Sequence, residues 1–148
     1  DLQASVGRQS SNALSDKFQN SVAGSMGQFV DNRCLTRRRQ YEVTVWVLLK
    51  KDLDIITCDT VGQCPEARVR VRTPEDESGS SFDEFSDDIA LYYTRPFNNQ
   101  GWNQLHGVFN VDTRVAEAAS VAFLVRRGMT KTQMILDDVS LSLIPRQC

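Results

Sequence analysis

The side chains whose types and spacing could do chemistry fall in three places. Arg68, Arg70 and Arg72 recur at every second position of EARVRVRT. On an extended strand they share one face, about 7 Å apart. Guanidinium groups hold carboxylate or sulfate in a planar, bidentate way, so the ladder would suit an anionic glycan. It would equally keep an exposed strand soluble, with the acidic stretch 75–88 as its counter-charge. Trp46 sits within YEVTVWVLL. An indole on a sheet surface can stack on a sugar ring while its N–H donates a hydrogen bond; the plainer alternative is a Trp covered by a loop or a neighbouring strand. Asp137 and Asp138 invite a structural calcium. That ion takes six to eight hard oxygens, so two carboxylates need help, and an Arg or backbone partner would serve as well.

Catalytic patterns are missing. The chain has one histidine, His106, in QLHGVF. There is no Ser-His-Asp order, no glycine-rich phosphate loop and no zinc motif. Carboxylates are plentiful, but sequence cannot set two of them at the separation a glycosidase requires. The expectation is a protein that is not an enzyme.

The strands that must position these groups follow from alternation. In Tyr41–Leu49, Tyr41, Val43, Val45, Val47 and Leu49 share one face, and Glu42, Thr44, Trp46 and Leu48 the other. A period of 2 with β-branched and aromatic residues predicts a strand with one face in a core and Trp46 on the other. Ala67, Val69 and Val71 alternate with the arginines in the same way. Further strands are expected near 12–18, 28–30, 53–58, 89–94, 102–111, 120–126 and 134–144, separated by turn-forming residues. Tyr92 shares a face with Ala90 and Thr94 and joins the candidate ligand set. By parity Asp137 falls with Ile135, Val139 and Leu141 on the inward face, where a carboxylate needs a cation or donors. Trp102, after Gly101 at a strand entry, reads as a core plug. The Thr113–Ala119 stretch holds good helix formers but is short.

With 148 residues and a net charge of −2, the chain suits one all-β domain spanning 1–148, without a global pull toward nucleic acid. No apolar run approaches the ~20 residues of a membrane helix. The chain opens on Asp1, without Met, in a polar stretch, so an excised piece of a longer precursor is expected. Cys58 and Cys64 bracket a short loop whose spacing suits a local disulfide worth roughly 2–3 kcal/mol in the chain-entropy view. Cys34 and Cys148 would then pair with each other. Other pairings, or four reduced thiols, remain open; disulfides would place the protein outside the cytosol.

SSNAL, GQFVDNRCL, YEVTVWV, GWNQLHGVFNV, SVAFLVR and ILDDVSLSL follow one another along the chain. This order resembles the carbohydrate-binding modules of the family 4/9/22 type. There a Tyr opens the YEVTVWV-like strand, a Trp precedes the GVFNV-like strand, and the domain closes on Asp-Asp-Val, here Tyr41, Trp102 and Asp137-Asp138-Val139. The resemblance implies a galactose-binding-like jelly roll, a two-sheet antiparallel β-sandwich, with calcium held near the closing strand. The family's first strand has no counterpart after Asp1, and its cleft carries more aromatics than this chain offers. The expected function is non-catalytic glycan binding in a secreted protein, through Trp46, Arg68, Arg70, Arg72 and Tyr92. The alternative is a structural or adhesive domain of an extracellular assembly, which contacts protein neighbours through strand edges.

Overall fold

Alternation along the strands builds two antiparallel sheets that share one core. The computed structural model describes residues 2–5, 13–16, 25–58, 63–72, 87–91, 97–98 and 100–145. The first sheet contains β1 (Leu2–Ser5), β2 (Ala13–Asp16), β4 (Gln40–Lys51), β5 (Asp54–Ile55), β8 (Asn103–Asn110) and β10 (Gln133–Leu143). Its order is β1-β2-β10-β4, and β8 and β5 both lie along the far edge of β4. The second sheet runs β3 (Ser25–Val30), β9 (Ser120–Arg126), β6 (Glu66–Arg72) and β7 (Asp87–Leu91). A β-sandwich is the result, as the alternation predicts.

The core fills the gap between the sheets. From β4 it takes Tyr41, Val43, Val45, Val47 and Leu49, and from the facing sheet Ala67, Val69, Val71, Val121 and Val125. Val45, Val47 and Leu49 are completely buried, and each such side chain contributes roughly 1.5–3 kcal/mol by leaving water. Tyr41 ends this apolar stripe with a polar tip. Its hydroxyl donates to the Cys34 carbonyl at 2.9 Å and accepts from the Thr36 N–H at 2.9 Å, while its ring stacks on Phe109. The loop that precedes β4 is thereby pinned to the sandwich. That loop holds a short 3-10 turn, Asn32–Cys34, capped by the Asp31 side chain.

Several sequence expectations change. Leu2–Ser5 forms a strand on the edge of the first sheet, paired with β2, although its four residues are too few to show periodicity. The apolar stretch 53–58 supplies only the two-residue β5. Thr113–Ala116 makes a single helical turn, α1, because Asp112 caps it through the Val115 N–H at 3.1 Å. Cys58 and Cys64 form the expected disulfide. Gly128 packs against that loop: it has φ of 84°, and a Cβ there would lie 2.5 Å from the Cys64 carbonyl oxygen. Only glycine fits both the backbone and the space. Cys34 is exposed and free, and its expected partner Cys148 is not among the described residues. Tyr41 turns the Cys34 backbone to the sandwich and leaves its thiol at the surface.

Candidate functional site: the outer face of the six-stranded sheet

Each core residue on β4 sends its neighbour to the opposite side. Glu42, Thr44, Trp46, Leu48 and Lys50 therefore line the outer face of the first sheet, and register brings their partners. Trp46 lies between Gln104 on β8 and Asp137 on β10. Thr44 lies between His106 and Ser140. Leu48 is opposite Ile135. Rows of cross-strand neighbours, a few ångströms apart, form a continuous surface.

Along β4 this surface changes from polar to apolar. At one end His106 Nε2 meets Glu42 Oε1 at 2.7 Å, and the Thr44 and Ser140 hydroxyls share a hydrogen bond. Trp46 stands in the middle, half-buried, with Gln104 exposed beside it. Beyond it Leu48, Ile135 and Ala13 make a satellite apolar cluster, with Ile55 and Trp102 packed against it. Trp102 is thus half-buried on the outer face and not a plug of the main core.

Asp137 is a correction as well. It faces outward beside Trp46, because Met134 and Leu136 take the inward positions of β10. Asp137 does share a face with Ile135, as parity predicts, but that face is the outer one, where Ile135 joins Leu48 and Ala13; the bulge of β10 comes only afterwards, between Asp137 and Ser140. Within the bulge Asp138 has φ of 46°, and its N–H donates to Asp137 Oδ1 at 2.9 Å. Regular register sets the half-exposed Asp137 carboxylate beside the Trp46 indole, and the bulge interrupts the pairing directly after it.

The arginine ladder is elsewhere. Arg68, Arg70 and Arg72 alternate with the core residues of β6 and face outward from the second sheet, opposite Leu124, Ala122 and Ser120. Two outer faces of a sandwich look in opposite directions, so the expected site that joins these arginines to Trp46 is not assembled. Arg68 is also engaged by its neighbour: its Nε donates to Glu66 Oε1 at 2.8 Å, and Arg126 reaches the same oxygen at 3.5 Å. Arg72 is buried. Tyr92, the remaining member of the expected ligand set, lies outside the described residues.

Among the described residues no three His, Cys, Asp or Glu side chains converge. Asp137 and Asp138, one half-exposed beside Trp46 and one at the surface of a bulge, do not by themselves supply the oxygens that calcium takes.

Two features escaped the sequence reading. Gln104 is a solvent-facing residue whose partner only register reveals. Asn103 is buried, and its side chain clamps the loop before Trp102. Its Oδ1 accepts from the Asn98 N–H at 2.8 Å and from Asn98 Nδ2 at 3.0 Å, and its Nδ2 donates to the Asn98 and Gly101 carbonyls, each at 3.1 Å. The one available signal was composition, an Asn-rich turn directly before a Trp.

The same sandwich occurs in solved proteins. The chain is similar to the CBM22-1 xylan-binding domain from Paenibacillus barcinonensis, with a TM-score of 0.66, 13% identity, and coverage of 99% of this chain and 81% of that one. It is similar to the CBM22-2 xylan-binding domain from the same organism, at a TM-score of 0.69, 9% identity, and coverage of 97% and 86%. A third is the C-terminal family 22 carbohydrate binding module of Clostridium thermocellum, at 0.58, 10% identity, and coverage of 97% and 79%. No protein-family model matches the chain, and no curated protein sequence does. The chain has the β-sandwich fold of the carbohydrate-binding modules. At these identities the likeness is one of fold.

Proposed function

We propose that this protein is a non-catalytic, secreted glycan-binding module that holds a neutral polysaccharide on the outer face of its six-stranded sheet. One observation carries the proposal: the half-buried Trp46 lies at the middle of that face, between Gln104 and Asp137. An indole gives a flat apolar platform for the C–H face of a pyranose, and an amide and a carboxylate on either side suit its hydroxyls. The proposal is supported by solved neighbours that bind xylan and by one whose cleft serves in ligand binding. The ligand is neutral because Arg68, Arg70 and Arg72 belong to the other sheet, while Glu42 and Asp137 outweigh Lys50 on this one. Secretion agrees with the Cys58–Cys64 disulfide. Titration calorimetry with soluble xylan and with cello-oligosaccharides tests the function. Binding by the native protein and its loss in Trp46→Ala are expected. Undiminished binding by that variant would remove Trp46 from the site.

The second reading, a domain that contacts other proteins, is favoured by Val139, Leu141 and Leu143. These exposed residues alternate along the end of β10 and offer an apolar stripe. Sedimentation of the native protein at increasing concentration tests it. A monomer throughout would exclude self-association as the use of that stripe.

A further inference from the structure

Past its bulge, β10 is paired on one side only. β4 follows it as far as Leu143. On the other side β2 pairs with Ile135 and Leu136, and among the described residues no strand lies along 139–143. Ile144 donates its N–H to the Gln40 carbonyl at 2.9 Å. Bonded positions alternate in an antiparallel ladder, so Ser142 and Ser140 also turn their backbone groups toward β4. Leu141 and Leu143 turn theirs to the open edge. The side chains of these two leucines share a face with Val43 and Tyr41, yet they are 38% and 42% exposed, and Val139, which leads into them, is 49% exposed. Backbone hydrogen-bonding groups and apolar side chains are thus offered together.

Protein edges of this kind are commonly guarded by lysine, by inward charges or by a covering segment. Positions 139–144 carry no charge. They open on Val-Ser-Leu-Ser-Leu, in which apolar and serine positions are symmetric about Leu141. Against an antiparallel copy of this stretch, Leu141 meets Leu141, Ser140 meets Ser142, and Val139 meets Leu143. Every pair is matched in character and none repels. Self-complementarity of this sort is what an isologous contact needs. The bulge before Ser140 and Pro145 bound the stretch. Each copy spends its one open edge, so pairing closes on two chains.

We infer that this edge of β10 pairs with the same edge of a second copy, antiparallel about Leu141, and joins two six-stranded sheets into one. The inference rests on the second reading of the stripe, contact with other proteins, and names the partner. The dyad of an antiparallel pair stands perpendicular to the sheet, so the Trp46 faces of the two copies look the same way. If that face holds glycan, the dimer is bivalent.

Sedimentation equilibrium of the native protein should show a reversible monomer–dimer equilibrium. Leu141→Lys sets like charges together on the dyad and should weaken the dimer at least about tenfold. Leu141→Pro removes an N–H that β4 does not use, a change an edge strand tolerates, and should weaken it as much. Circular dichroism at concentrations where the native protein is monomeric checks that both variants fold. Val139→Lys and Leu143→Glu should each weaken the dimer, and the two in one chain should restore it, because the register sets each new lysine opposite a new glutamate of the other copy. Trp46→Ala should dimerise as the native protein does. A native protein that is monomeric at every soluble concentration overturns the pairing and self-association together. A dimer that both Leu141 variants leave intact overturns the pairing alone, since self-association then uses another surface. Loss in both single variants without recovery in the double variant overturns the register about Leu141.

Discussion

The two outer faces of the sandwich make an instructive pair. The β6 face bears the more conspicuous sequence, a ladder of arginines, yet Glu66 engages Arg68 and Arg126, and Arg72 is buried. The β4 face bears a less conspicuous mixture, Glu42, Thr44, Trp46 and Leu48, and register adds His106, Gln104, Ser140 and Asp137. Repeated charge on a strand is thus a weak sign of a binding site, because a cation matched by an adjacent carboxylate already has its ligand. A varied face on a central strand says more, since its neighbours on both sides decide what it can hold.

Substitutions on one face should be silent in the property that belongs to the other. The largest effect is expected from Trp46→Ala, which should weaken glycan binding roughly 30-fold or more, the scale of a buried aromatic hot spot. Arg70→Ala should leave calorimetric affinity unchanged; an equal loss in the two variants would erase the contrast. Next comes Glu66→Ala, which strips the half-buried Arg68 of its carboxylate. Urea denaturation should show a loss of about 1–2 kcal/mol with unchanged affinity. Smaller still, Gln104→Ala should cost about 1 kcal/mol of binding, near fivefold, without moving the melting temperature.

Asp112 provides a reference away from both faces. The Val115 N–H bonded to its carboxylate, with help from Arg114, holds its pKa below the usual aspartate range. A depressed pKa in the folded state means stability that is present above the unfolded value, about 3.9, and is lost as pH falls through the folded one. Asp112→Ala should therefore cost about 1 kcal/mol at neutral pH. The gap between variant and native melting temperatures should narrow below about pH 4. Binding should not change at neutral pH.

Much of the sandwich could be read from residues alone. Tyr41–Leu49, Glu66–Arg72 and Ser120–Arg126 carry long apolar stripes of period 2, so type and inward face were both legible. Leu2–Ser5 was not, because four residues carry too little pattern and the strand exists through its pairing with β2. Asp137 was assigned inward because Ile135, on the same face, was taken for main core, whereas that face is the outer one and its apolar residues pack in a satellite cluster. Trp102 was taken for core because an aromatic at a strand entry has the same local sequence whichever face it covers.

Side-chain chemistry and short-range geometry alone determined which segments are extended, which half of each is apolar, and that Cys58 and Cys64 lie close enough to bond. These are properties of residues near one another in the chain, and local sterics and the burial of apolar surface suffice to set them. Tertiary structure decided which strand lies beside which. That choice sent the arginines to one side of the sandwich and gathered Trp46, Trp102, Gln104 and Asp137 on the other. Register between strands distant in sequence depends on how the whole core packs, so no single segment encodes it.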